Sequence, residues 1–271
     1  MARKTRRQLL GQHFLHEKQI LRKIVEAVDP KPEDLIIEIG PGRGALTFLL
    51  ADKAGKVVAV EKDYLLIPEL EKAGISNLEV MAGDVLELDL VSLVEEKKNG
   101  FRQVKLAGNL PYHISSQVLF VLLNLREKVE RAVFLFQKEV AERIVSPAGQ
   151  KKYAPLSVLL QNYFDGQILF TIKPGAFHPP PRVDSACVRL IKREAPAFFS
   201  PEEEPHFHHF LQQVFGHRRK TLVRNLESFG FKRQMVQAEL EKLGFKPMTR
   251  AEELSPEFLV KIFRRLKGPA E

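Results

Sequence analysis

The chain has 271 residues, 44% of them hydrophobic, which is enough apolar material for two compact domains. No apolar run reaches the length of a membrane span, the basic start lacks the apolar stretch of a secretory signal, and the lone cysteine, Cys187, excludes an intrachain disulfide and a thiolate zinc site. Lys plus Arg outnumber Asp plus Glu by 42 to 34, and the net charge of +8 points towards a polyanion such as nucleic acid and, with the cysteine usage, towards a reducing cytoplasm.

The first eight residues read as a basic arm. Apolar positions at Ile20, Leu21, Ile24, Val25 and Val28 predict a helix over 17–28, stopped by Asp29-Pro30-Lys31-Pro32. A buried strand over 35–39 runs into glycines, then a helix over 45–51. Strands follow over 57–60 and 78–81, with a helix over 65–73 between them. A fourth strand over 104–107 leads to a helix over 115–125, and a fifth over 132–136 to a helix ending near 145. Another helix is read over 153–163, and the last strands over 167–172 and 186–191. Alternating strands and helices imply a mainly parallel sheet covered on both faces. Prolines 196, 201 and 205 and three consecutive glutamates mark a linker over 192–205. After it, helices are read over 207–215, 221–229, 234–243 and 256–266. The layout is an α/β domain over 1–191 and a small helical domain over 192–271.

Ile39-Gly40-Pro41-Gly42-Arg43-Gly44 places three glycines at a strand-to-helix turn, where backbone can approach a ligand without β-carbon clashes. The spacing differs from the dinucleotide fingerprint. Glu61, at the end of the next strand, suits two ribose hydroxyls, and Asp84, after the third, suits an adenine amino group. Open α/β sheets bind ligands at that edge. NAD would satisfy the same three positions, so they leave the cofactor open; each also reads singly as a turn or a strand-end charge.

Asn109-Leu110-Pro111-Tyr112 directly follows the fourth strand. Adenine N6 is a poor nucleophile because its lone pair is delocalised into the ring. The Asn109 side-chain oxygen and the Leu110 carbonyl can accept hydrogen bonds from that amine and aim the lone pair at a methyl sulfonium. Such a displacement is accelerated mainly by positioning and needs no metal. Pro111 fixes the loop, and Tyr112 can stack on an extruded base. The alternative is a loop in which Asn109 caps the following helix.

At these residues the sequence resembles the bacterial small-subunit rRNA adenine dimethyltransferases (KsgA type) and their relatives. The similarity runs from Gly11-Gln12-His13-Phe14-Leu15 through the glycine turn and Gly108-Asn109-Leu110-Pro111-Tyr112. It continues through Gln137-Lys138-Glu139-Val140 and Phe177-His178-Pro179-Pro180-Pro181-Arg182-Val183-Asp184-Ser185 to Arg218-Arg219-Lys220-Thr221-Leu222. The resemblance implies a Rossmann-like class I methyltransferase sheet using S-adenosylmethionine, with an N-terminal lid on the catalytic domain. It implies that His13, Leu15, Gly40, Gly42, Glu61, Asp84 and Asn109 hold the cofactor, and that Asn109, Leu110, Pro111 and Tyr112 hold the target adenine with Phe177 on its other face. His13 departs from the asparagine of many members, though either residue can hydrogen-bond. The implied product is N6,N6-dimethyladenosine at two adjacent adenosines in the 3′-terminal hairpin loop of 16S rRNA, within an assembling small subunit. Read without the resemblance, Phe177 serves equally as core.

Arg218, Arg219, Lys220 and Arg224 read as a cationic helix facing RNA, and Arg3, Lys4, Arg6 and Arg7 as an arm that can reach it. His206, His208 and His209 lack the acidic or thiol partners of a metal site. The expectation is a monomer with neither membrane nor metal. Two other readings share these features: a large-subunit rRNA adenine methyltransferase of the antibiotic-resistance type, and an assembly factor acting mainly by binding.

Overall fold

The computed structural model describes residues 11–267. The chain divides into two compact units: one holds the residues up to Ala141 with Asp165–Lys192, and the other Glu142–Phe164 with the residues from Arg193 on.

In chain order the elements up to the division are β1 (Phe14–Leu15), α1 (Lys18–Val28), β2 (Asp34–Ile39), α2 (Thr47–Ala51), β3 (Lys56–Glu61), α3 (Ile67–Glu71), β4 (Leu78–Ala82), α4 (Leu90–Lys97), β5 (Gln103–Asn109), α5 (Ser115–Asn124), β6 (Val129–Gln137) and α6 (Lys138–Ile144), inside which the division falls. After α7 (Pro155–Tyr163) come β7 (Phe164–Ile172), β8 (Phe177–His178) and β9 (Ser185–Lys192).

Seven strands form one sheet in the order β4-β3-β2-β5-β6-β9-β7. β4 to β6 run parallel through β2, and β9 pairs antiparallel with β6. The order reverses between β2 and β5, and open sheets form a ligand crevice at such a switch point. All six residues of β2 are buried, as expected of a parallel strand covered on both faces. α1 shows why the periodicity was readable: Leu21, Ile24, Val25 and Val28 lie on one buried face, in a core with Ile36, Val57, Ala107, Val133, Leu135 and Cys187. Beneath it, buried Lys105 bonds the Asp34 carboxylate and the Asp29 carbonyl, both at 2.6 Å, tying the end of α1 to β2 and β5. β1 and β8 pair antiparallel as a separate ribbon, Phe14 opposite His178 and Leu15 opposite Phe177.

The second unit adds α8 (Glu204–Val214), α9 (Leu222–Glu227), α10 (Arg233–Lys242) and α11 (Pro256–Lys267) to α7. Its core is aromatic. Phe207 lies 4.7 Å from Phe199 and 5.2 Å from Phe263 between ring centroids, and Phe210 lies 5.5 Å from Phe263. Buried Asn162 of α7 accepts from the Phe198 and Phe199 amides and donates to the Phe199 carbonyl.

Two expectations are corrected, and one element had gone unread. The segment 142–164, read as part of the sheet domain, groups with the C-terminal unit, because α7 has its hydrogen-bonding and ring partners there. α4 was not anticipated. The basic run at 217–220 is not helical but lies in the connection between α8 and α9, with Thr221 capping α9.

Candidate active site

The carboxyl ends of β2, β3 and β5 open onto one cavity of about 860 Å³, within the range of small-ligand sites. His13, Leu15, Gly40, Gly42, Glu61, Asn109, Leu110, Pro111 and Tyr112 all line it. The sequence scattered these residues across a hundred positions, and the switch point collects them.

The glycine turn is built by left-handed backbone: φ is +69° at Gly40 and +60° at Gly42. A β-carbon on Gly42 would stand 2.9 Å from the Phe14 ring, so the position needs glycine both for its φ and for the close approach of β1. Glu61, only 4% exposed, is no solvated strand-end charge. Its Oε2 accepts from the Gly42 amide at 3.0 Å and its Oε1 from the Asp63 amide at 2.7 Å. Burial nevertheless pushes its carboxyl above the usual range, against those hydrogen bonds.

Asn109 does not cap a helix. Its Nδ2 donates to the His13 carbonyl at 2.7 Å, which turns the amide so that Oδ1 is left as an acceptor. His13 is held in turn: its Nδ1 donates to the Pro179 carbonyl at 2.7 Å, and its ring lies 5.5 Å from that of Tyr112. The Tyr112 hydroxyl bonds Ser185 Oγ at 2.5 Å, and burial raises the phenol's pKa against that bond. Pro111 leads into a single 3₁₀ turn, Tyr112–Ile114, and then α5. The loop is thus fixed at both ends: the Pro111 and Tyr112 carbonyls accept from the Ile114 and Ser115 amides in the 3₁₀ turn, and Asn109 and Leu110 line the cavity ahead of it.

Two predicted residues stand elsewhere. Asp84 lies just past β4 but is not among the residues lining the cavity; its carboxylate is bonded to Lys62 Nζ at 2.5 Å and the Leu86 amide at 3.0 Å. Burial raises its pKa, but the Lys62 bond, the Leu86 amide and the charges of Lys62 and His113 outweigh that and hold it below the ordinary value. Phe177 is core, not cavity wall. It is 2% exposed, opposite Leu15 in the ribbon, and it belongs to the same apolar cluster as α1. In a strand neighbouring side chains alternate sides, and it is His178 that lines the cavity.

Glu38 is the functional candidate that sequence reading passed over. It lines the cavity, is 1% exposed, and its Oε2 has no hydrogen-bond partner. Burial, with the charge of Glu61 adding to it, pushes its carboxyl up to about 8. The signal was present: a carboxylate inside an otherwise apolar central strand. Lys18 and Arg22 of α1 and Arg43 after the glycine turn also reach the cavity.

The expected cofactor fits these groups. A buried carboxyl with one unpartnered oxygen suits an ammonium, the Glu61 carboxylate suits ribose hydroxyls, and the turn at Gly40 and Gly42 leaves room where side chains would stand. Asp84 would have to exchange its Lys62 partner to reach an adenine.

In the C-terminal unit, Arg219, Lys220 and Arg224 are exposed. Arg218 is not free: its Nη2 donates to the Lys151 and Tyr153 carbonyls. The basic arm Arg3, Lys4, Arg6 and Arg7 lies outside the described residues. Among the described residues no group of three His, Cys, Asp or Glu could hold a metal, and no helix is long and apolar enough to cross a membrane.

A family model described as ribosomal RNA adenine dimethylase matches residues 3–267. The chain is 39% identical to a Myxococcus xanthus protein named ribosomal RNA small subunit methyltransferase A, over 96% of this chain and 90% of that one. A Geobacter metallireducens protein of the same name is 41% identical over 82% and 80% of the two chains. Among solved structures, a dimethyladenosine transferase from Plasmodium falciparum superposes with a TM-score of 0.77 at 28% identity, covering 92% of this chain and 96% of that one. The 23S rRNA methyltransferase ErmE gives 0.72 at 25% identity, covering 94% and 99%. The fold is the Rossmann-like class I methyltransferase sheet with a helical C-terminal part.

Proposed function

Because the chain belongs to the ribosomal RNA adenine dimethylase family, we propose that it dimethylates N6 of two adjacent adenosines in the 3′-terminal hairpin loop of 16S rRNA, with S-adenosylmethionine as donor. The observation that carries this reading is that the Asn109-Leu110-Pro111-Tyr112 loop lines the same cavity as the glycine turn and Glu61. The alternative of a large-subunit substrate is not favoured. ErmE shares the fold, but the relatives near 40% identity are named for the small subunit.

When bound, the cofactor would supply an electrophilic methyl group on a sulfonium, its thioether leaving as the amine nitrogen takes the methyl carbon in line. The chain's own residues do the rest. Asn109 Oδ1 and the Leu110 carbonyl accept hydrogen bonds from the adenine amine, directing its lone pair; after transfer the methylated, cationic nitrogen gives up its proton to solvent, and repetition gives the dimethyl product. Tyr112, braced by Ser185 and His13, offers its ring to the flipped base. His13, Leu15, Gly40, Gly42 and Glu61 would seat the donor, Glu38 would offer its carboxyl to the donor's ammonium, and Asp84 would be available to its adenine once Lys62 moves. Positioning of this kind can supply most of the acceleration.

The test is transfer of labelled methyl groups to small ribosomal subunits that lack the modification. Two methyl groups on each of two adjacent adenosines are expected, with Asn109→Ala reducing the rate at least about a hundredfold. Label appearing on large subunits instead would overturn the substrate, and no label on either would overturn the activity.

A further inference from the structure

The cavity extends beyond the residues assigned to the donor and the base. Leu21, Arg22 and Ile24 of α1, with Leu46 and Leu49 at α2, also line it, so it continues along the seam where α1 packs against α2. Three cations line it as well. Lys18 and Arg22 stand one turn apart on α1, and Arg43 follows Gly42 in the glycine turn. All three are exposed. The Lys18 and Arg22 side chains make no hydrogen bond or ion pair with other described residues. The Arg43 guanidinium lies 5.6 Å from the centre of the Phe14 ring. Among the described residues, no other lysine or arginine lines the cavity, whereas its buried acids are Glu38 and Glu61. Neither Lys18 nor Arg22 belongs to the motifs that carry the family resemblance.

The amino-acid end of the donor carries an ammonium and a carboxylate on one carbon. Glu38 suits the ammonium, which brings the carboxylate into a cavity that already holds two buried acids. Like charges repel there, and an anion taken out of water needs a partner. A planar guanidinium meets both oxygens of a carboxylate at once, where an ammonium offers only a point charge. Lys18 opens α1, and Arg43 has its guanidinium against the Phe14 ring. Arg22 is flanked along the cavity wall by apolar Leu21 and Ile24, and exclusion of water by such neighbours strengthens a charged contact. We propose that Arg22 binds the carboxylate at the amino-acid end of the donor, with Lys18 and Arg43 adding positive potential, so that the cavity grips both charges of one zwitterion. The proposal rests on the reading that the donor is S-adenosylmethionine, and it gives α1 a task beyond covering the sheet.

The experiment is calorimetry on the full-length protein with two ligands: S-adenosylhomocysteine, and the same thioether lacking only its carboxylate. Arg22→Gln is expected to weaken binding of the first about tenfold and to leave the second within about twofold of wild type, with Arg22→Lys recovering part of the loss. Lys18→Gln and Arg43→Gln are each expected to weaken the first about twofold, and less at high salt. Equal losses for both ligands in Arg22→Gln mean a structural role and overturn the carboxylate contact, as does wild-type affinity of that variant for S-adenosylhomocysteine. Should Arg22→Gln bind both ligands normally but hold small ribosomal subunits less tightly, with a flatter dependence on salt, the anion met by Arg22 is an RNA phosphate and the proposal falls. Wild-type protein that binds neither ligand removes the donor reading itself, and the proposal with it. Wild-type binding of S-adenosylhomocysteine, with an Arg22→Gln variant that does not separate the two ligands, removes the role of Arg22 alone.

Discussion

Asn109 works through both ends of its amide. Nδ2 is bonded to the His13 carbonyl, and Oδ1 is free to accept. Asn109→Asp keeps an acceptor but removes the donor and places an oxygen against the His13 carbonyl. It is therefore expected to raise the KM for the cofactor several-fold, in addition to any loss in kcat, in steady-state methyl-transfer assays. Glu38 allows a different measurement. Its carboxyl titrates near 8 in the folded protein, against an ordinary value of 4.5. Between those values the folded state keeps a proton that the unfolded chain has released, so stability falls as pH rises through the window, by at most about 1.4 kcal/mol per pH unit. Glu38→Gln, which cannot ionise, is expected to melt near the wild-type temperature at about pH 5 and above it at about pH 9. A pH-independent difference between the two proteins would contradict the assignment.

At the scale of elements, β2 and β5 leave no room for a β-carbon at the switch point. A β-carbon on Gly108 of β5 would lie 2.5 Å from the Ile39 carbonyl oxygen of β2, and backbone cannot move aside as a side-chain end can. Gly108→Ala is expected to cost about 1–3 kcal/mol, read as a lower midpoint in urea with an unchanged m-value. The central strands were legible because both faces are buried, so their sequences are continuous apolar runs. Other elements left weaker traces. α4 buries only Leu90, Leu93 and Val94 before its charged end, with Val91 exposed, less than a convincing stripe. β1 and β8 are two residues each, too short for any period. Phe177 was therefore undecidable: its burial depends on pairing with Leu15, a partner remote in sequence. Asp84 and Arg218 were recognisable as charged groups at meaningful places, but their partners, Lys62 and the carbonyls of Lys151 and Tyr153, belong to other segments. The glycine turn, Glu61 and the loop at 109–112 were legible because each sits at a strand end, and strand order alone brings such ends together.

For the whole molecule, the division of the chain matters more than a boundary in the linker would suggest. Every strand of the sheet is complete by Lys192, and a cut there looks harmless from the sequence. Yet the intervening 142–164 belongs to the C-terminal unit, where the Tyr163 ring meets Phe199 and Asn162 holds the backbone of Phe198 and Phe199. A protein ending at residue 192 would keep the Asn162 amide and the apolar residues Val158, Leu159, Leu160 and Tyr163 while losing these partners. It is expected to bind a hydrophobic dye and to aggregate at temperatures where the full chain stays soluble. A soluble, dye-negative fragment with a sharp melt would show that the sheet unit tolerates the loss.

The amide of Asn109 carries one more implication. On the proposed assignment the same side chain steadies the segment over the donor and receives the amine of the acceptor, so occupancy at one place alters the free energy of occupancy at the other. Reciprocity then requires that whatever factor the methyl donor adds to the affinity for RNA, RNA adds in equal measure to the affinity for the donor. Loss of the methyl group should therefore register at the nucleobase as well as at sulfur, giving an enzyme that must act repeatedly on one nucleotide a means of exchanging its cofactor between rounds.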